Sequence, residues 1–258
     1  MSMNFHDDNM KMTYASREAD PSWLQIVKDI ITPTSVIYAA DIGCGGGIYT
    51  KALYELGINN VIGIDYSEAM LAGAKENCKQ YPMIHLRKGH AYQTHLPDKS
   101  VDFVLERALI HHLDDLFACF TEASRILMDD GVLLVQDRTL DDCLKKGTHQ
   151  HIRGWIFEMF PQLKKVEERR RISSVDVKKA LFDAGFNHIT ETKLMETRKM
   201  YSSKQELLTD IQQKNGRSIL HYLNNHEMDR LLLSLDKKIV SMRPIIEKDY
   251  WTIWKAQK

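Results

Sequence analysis

The chain lacks most of the features that would take it out of the ordinary globular proteins. No apolar run approaches the ~18 residues that span a bilayer, so no membrane insertion is expected. Neither charge is in excess, because 35 Lys and Arg residues balance 35 Asp and Glu. Without a net field there is no general attraction for nucleic acid, and none is expected as a partner. Only four cysteines occur, Cys44, Cys78, Cys119 and Cys143, with no C-x-x-C pair among them. That scatter argues against a disulfide framework and a zinc site, and reads as the reduced thiols of a cytoplasmic protein. Met1–Lys11 has neither the apolar core of a secretory leader nor the arginine-rich, acid-poor pattern of a transit peptide. Internal repeats, low-complexity tracts and Gly/Ser linkers are missing too.

What is present is a 258-residue chain, 43% hydrophobic, with enough apolar surface for a full-sized core. Residues 1–20 have little apolar periodicity and are expected to form an arm before a single domain over 21–258. Trp23–Ile31 fits an amphipathic helix closed by Pro33. From there strands and helices alternate. Strands are expected at Val36–Ala40, Val61–Ile64, Met83–Leu86, Val101–Leu105 and Val132–Val135, with helices at Ile48–Leu56, Ser67–Lys79 and from Asp114 or Asp115 to about Leu127. Short continuous apolar runs suit strands covered on both faces, and the alternation predicts a doubly wound α/β sheet, mostly parallel. After Asp137 the pattern breaks. Two more strands are expected, within Phe186–Leu194 and at Tyr250–Trp254, which brings the sheet to seven. Helical cover is expected as insertions at about 140–172 and 196–245.

In such a sheet, ligands bind beyond the carboxyl ends of the strands, where the strand order reverses. The unusual residue clusters of the first half fall at those ends. The first is Asp41-Ile-Gly43-Cys44-Gly45-Gly46-Gly47. Glycines let a ligand approach the backbone and permit positive φ. A dinucleotide turn would need a glycine where Ile48 stands. An acid at Asp41 suits a cofactor with a cationic amino-acid end, by direct contact or by fixing the loop. The second strand ends at Asp65, placed to accept from both hydroxyls of a ribose. Near the third strand, His90 and the Ala91 backbone are candidates to read an adenine edge.

These residues resemble the class I S-adenosylmethionine-dependent methyltransferases, in particular the small-molecule group that includes the ubiquinone and menaquinone methyltransferases. The matching blocks are Asp41–Gly47; Val61-Ile-Gly-Ile-Asp65-Tyr-Ser; Gly89-His-Ala91 with Leu96-Pro-Asp-Lys-Ser-Val-Asp102-Phe-Val; and Glu122-Ala-Ser-Arg-Ile-Leu-Met-Asp-Asp-Gly131-Val-Leu-Leu-Val. They span about two-fifths of the chain and are nearly silent on the acceptor. The resemblance implies a Rossmann-like fold and S-adenosylmethionine as cofactor. Gly43, Cys44 and Gly45 would lie along its methionine part, Asp65 on the ribose and Tyr66 beside the adenine. The family usually has an acid where this chain has His90. Glu106 and Arg107, after the fourth strand, correspond to the mouth of the transfer site.

Methyl transfer to a small molecule mainly needs alignment and exclusion of water, with a general base where the acceptor is a hydroxyl or a C–H acid. His111 and His112 are the candidates for that base; a helix cap or a packed ring is the competing role. Further ligands that would make the pair a metal site are not identifiable, so no metal is expected. Arg107 and Arg138 are candidates to hold an anionic group of the acceptor, or to form ion pairs with Glu106 or Asp137. Tyr14 and Arg17 are candidates to close the arm over the cofactor. Two rival functions stay open at this point: a cofactor-binding protein without turnover, and an NAD-dependent oxidoreductase, which Ile48 and Asp41 disfavour.

Overall fold

The structure, a computed structural model, describes residues 18–240 and 244–258. Its first helix, α1 (Pro21–Ile30), begins at Asp20, whose carboxylate accepts from Ser22 N–H at 2.9 Å, and has proline in its first turn. Proline suits that place because the N–H it lacks would have no partner in the helix. Strand β1 (Tyr38–Ile42) starts two residues later than the apolar run suggests, since Pro33–Ser35 forms a 3-10 turn. The N–H groups of Ile37 and Tyr38 both donate to the Asp102 carboxylate, which fixes where the strand begins.

Then follow α2 (Ile48–Glu55), β2 (Asn60–Asp65), α3 (Glu68–Cys78), β3 (Ile84–Lys88), β4 (Val101–Arg107), α4 (Leu116–Ile126) and β5 (Leu127–Asp137). Later come α5 (Leu140–Cys143), α6 (Ile152–Met159), α7 (Lys164–Glu168), α8 (Ser174–Asp183), β6 (Asn187–Tyr201), α9 (Lys204–Gln212), α10 (Asn225–Lys238) and β7 (Ile245–Gln257). Ser67 and Asp115 cap α3 and α4, accepting from Met70 N–H and Ala118 N–H. The seven strands form one sheet in the order β3-β2-β1-β4-β5-β7-β6. Pairs β1–β2, β1–β4, β2–β3 and β4–β5 are parallel, and β5–β7 is antiparallel. This is the doubly wound, mostly parallel seven-stranded sheet that the alternation of strands and helices predicts.

Other expected boundaries differ as well. α4 stops at Ile126, so Asp129–Gly131 does not end it; those residues sit in an irregular start of β5, where Val101 pairs with Leu127 but Phe103 pairs with Val132. β6 and β7 are longer than expected, because the added stretches run through consecutive polar residues, Glu196–Lys199 and Glu247–Asp249, and give no apolar run to read.

The chain divides into two compact units. The first takes the described residues up to Asp137, with Ile172–Leu194 and Thr252–Lys258; the second takes Arg138–Arg171 and Met195–Trp251. Each has a core of its own. In the first, Ile42, Val104, Val135, Phe120 and Trp254 are buried together; in the second, Ile156, Phe157, Phe160, Leu207 and Leu231. Phe157 and Phe160 are thus core residues of the second unit. Among the described residues no helix is long and apolar enough to cross a membrane.

Candidate functional site

The chain steps outward from β1 through β2 to β3 and returns to β4 on the other flank of β1, so strand order reverses between β1 and β4. The Asp41–Gly47 turn leaves β1 at that place. Gly43 N–H and Cys44 N–H both donate to Ile64 O, at 2.7 and 3.0 Å, and bind the turn to the end of β2. Gly43, Gly45 and Gly47 have φ of +73°, +53° and +77°. They are glycine for different reasons. A Cβ on Gly43 would lie 2.8 Å from the Leu109 side chain, whereas one on Gly45 would meet nothing within 4 Å. Gly45 is therefore the residue whose backbone an incoming ligand can approach. Cys44 is buried, and burial pushes its thiol pKa well up, so it is a packing residue and not a reactive one.

Two carboxylates stand beside the turn. Asp65 accepts from Gly45 N–H through Oδ2 and from Ser67 N–H through Oδ1, both at 2.8 Å. One side chain thereby joins the glycine turn to the start of α3. Each carboxylate oxygen can accept twice, so two adjacent acceptor positions remain in its inventory. Asp41 is buried and accepts from Thr50 Oγ1 at 2.6 Å. Of the two roles the sequence left open for it, the structure displays the loop-fixing one. Burial pushes Asp41 up to about 7, against the Thr50 hydrogen bond; Asp65 raises it further and Arg107 pulls it down.

At the far side of Asp65, Gly89 N–H donates to its main-chain carbonyl at 3.1 Å, which brings the loop Gly89–Gln93 alongside. Tyr66 is 68% exposed there, and its ring lies 5.6 Å from that of His90. Ala91 is buried in the same loop.

The residues after β4 separate by face. Arg107 lies over the Tyr49 ring, 3.8 Å from its centroid, and donates to Gln136 Oε1 at 3.2 Å. Glu106 points the other way, into the core under α4. Its carboxyl is wholly buried, accepts from the Cys119 thiol at 3.4 Å, and has Oε2 without a hydrogen bond. The structure puts it with the apolar core and not with the carboxylates of the turn. His111, in the 3-10 turn Ile110–His112, places Nδ1 2.7 Å from Asp137 Oδ2, and its N–H also donates to that oxygen. The His111 and His112 rings lie 3.9 Å apart. Arg138 belongs to the second unit, where it pairs with Asp249 at 2.8 Å and stacks on Trp251. Tyr14 and Arg17 lie outside the described residues.

Thr50, Tyr49, Tyr92 and Asp137 were not singled out from the sequence as site residues. Asp137 carried a signal that could have found it: it ends β5 as Asp65 ends β2. A groove of about 720 Å³ lined by Tyr92, His95, Leu96, Pro97, Glu122 and Arg125 lies elsewhere on the first unit, and its charged residues Glu122 and Arg125 are paired to each other.

The arrangement has known counterparts. The family model described as "methyltransferase domain" matches residues 40–135, the stretch that contains the turn, Asp65, His90 and the end of β4. Over residues 40–135 the chain is similar to that family. A probable S-adenosylmethionine-dependent methyltransferase of Mycolicibacterium smegmatis is 36% identical to this chain over 95 residues, which is 37% of this chain and 35% of that protein. The ubiquinone biosynthesis O-methyltransferase of Pelagibacter ubique is 29% identical over 113 residues, covering 44% and 46%. The chain thus spans less than half the length of these curated relatives. Among solved structures, a methyltransferase assigned to an antibiotic biosynthesis pathway of Anabaena variabilis superposes with a TM-score of 0.68 at 19% identity, over 92% of this chain and 98% of that one. At that identity the likeness is one of fold.

Proposed function

We propose that this protein binds S-adenosylmethionine against the Gly43–Gly47 turn and Asp65, and transfers its methyl group to a small-molecule nucleophile. The observation that carries the reading is the Asp65 carboxylate, held by Gly45 N–H and Ser67 N–H beside a glycine whose Cβ position is open. A vicinal diol can accept and donate along such a carboxylate, while the amino-acid end of the cofactor lies over Gly45. Asp41 favours the same ligand: a cation in the crevice stabilises its ionised form, which burial alone disfavours. The names of the relatives that match this domain support the reading.

When bound, the sulfonium supplies a methyl group already attached to its leaving group. The protein then has to hold the acceptor in line and manage its proton. His111 is placed for the proton. With Nδ1 donating to Asp137, the nitrogen that exchanges a proton with the acceptor is Nε2, and the buried carboxylate steadies the imidazolium that forms. Asp137 is a positioning residue in this scheme. Arg107, laid flat on Tyr49, is the cation available near the turn for an anionic acceptor.

The test is transfer of labelled methyl from S-adenosylmethionine to a panel of small phenols, amines and C–H acids. On an acceptor that is methylated, His111→Ala is expected to lower kcat by about 10²–10³-fold, with binding of S-adenosylhomocysteine unchanged. A variant as fast as wild type at every pH would remove His111 from the scheme. A protein that neither bound the cofactor nor methylated any acceptor would overturn the proposal as a whole.

A further inference from the structure

His90 stands where its hydrogen-bonding sense is fixed by its surroundings. The main chain is pinned by reciprocal bonds to Gln93, His90 N–H to Gln93 O at 3.1 Å and Gln93 N–H to His90 O at 2.9 Å. The ring is oriented by Tyr92, whose backbone N–H donates to His90 Nδ1 at 3.3 Å and whose own ring lies 4.7 Å away. Tyr92 is itself anchored, because its hydroxyl accepts from the N–H groups of Asp114 and Asp115 at 3.0 Å. A backbone N–H can only donate, so Nδ1 accepts. The proton of the neutral imidazole is then on Nε2, and the side chain has a donor to offer.

What that donor meets follows from the sheet, given the cofactor reading above, on which this inference rests. With the ribose on Asp65 and the amino-acid end over Gly45, the base extends to the opposite side of Asp65. There β3 pairs with β2, Asp65 opposite Lys88, and the loop Gly89–Gln93 begins. The rings of Tyr66 and His90 meet edge to face beside it, at 78°.

We propose that His90 reads the six-membered edge of the purine as a hydrogen-bond donor, and so makes the site tolerant of either an amino or an oxo group at position 6. A 6-aminopurine offers N1 as an acceptor to Nε2–H, and a 6-oxopurine offers O6. A carboxylate in the same place would accept from the amino group and repel the oxo group. His90 is therefore a specificity-determining residue, with the opposite polarity to an acid.

The experiment is calorimetric titration, in buffer above neutrality, of S-adenosylhomocysteine and its 6-oxo analogue S-inosylhomocysteine. Wild type is expected to bind the two within about tenfold of each other. His90→Asp is expected to widen the preference for the amino compound to roughly a hundredfold, the scale of an unsatisfied polar contact in a site. Rejection of the 6-oxo compound by wild type as strongly as by His90→Asp overturns the inference, and that wild-type ratio requires no variant to fold. An equal ratio in a folded His90→Asp, checked by circular dichroism, overturns it too. Failure of wild type to bind either compound is a different result, and overturns the cofactor reading beneath it.

Discussion

At the carboxyl end of β4 the Glu106 carboxyl meets the Cys119 thiol and apolar side chains, and burial pushes its pKa up to about 7. No cation is among the causes that set its pKa. Because the folded value is raised, the contribution of Glu106 to stability is whole below the unfolded value near 4.5 and is lost as pH climbs through about 7. At about 1.4 kcal/mol per pH unit, the loss is on the order of 3 kcal/mol. Glu106→Gln is therefore expected to match wild type at pH 4.5 and to exceed it by about 3 kcal/mol above pH 7, read from urea unfolding at a series of pH values. A difference that does not change with pH would contradict this. The face that Glu106 takes was not legible in the sequence. Phe103, Val104 and Leu105 are apolar and buried on both faces, so nothing in them tells which side the next residue joins. The His111–Asp137 pair was hidden for another reason. Asp137 ends β5 and His111 lies in the turn after β4, and only the parallel pairing of β4 with β5 brings the two together.

The glycine turn shows what an element contributes beyond its residues. Gly43 and Gly45 share a left-handed backbone, yet their surroundings predict different outcomes. An L side chain in that conformation costs about 1–2 kcal/mol. Gly45→Ala should lose about that much stability and bind S-adenosylhomocysteine at least tenfold more weakly, since its methyl stands where the ligand approaches. Gly43→Ala should lose more stability, because its Cβ also crowds Leu109. Urea unfolding and calorimetry on both variants separate the two effects. Wild-type affinity in Gly45→Ala would remove the turn from the binding surface. The turn itself was readable from its composition, as were the capping residues Ser67 and Asp115 and the parallel strands around them. β6 and β7 were readable only in part. Their ends in the second unit, such as Met195–Tyr201, run through consecutive polar residues, Glu196–Lys199, and the strand there depends on neighbours far along the chain.

Over the whole molecule, the two units are built by different means. The first is a layered sheet whose candidate site residues sit at and beyond strand ends. The second buries charge: Arg217 and Arg198 contact Glu247 and Asp210 around Tyr201, and Arg153 and Arg138 contact Asp249. Arginines beside them hold the Asp249 and Glu167 carboxyls well below the usual range. No local pattern announced this network, because its members are distant in sequence and each alone reads as a surface charge. The family resemblance stops short of it as well, ending at residue 135. The proposed cofactor site belongs to the first unit, where Asp65 joins the glycine turn to α3. The direct test is calorimetric titration of S-adenosylhomocysteine into wild type and Asp65→Ala. The account predicts a single site in wild type, weakened at least tenfold in the variant. Absence of binding to wild type, or equal binding to both, would contradict it.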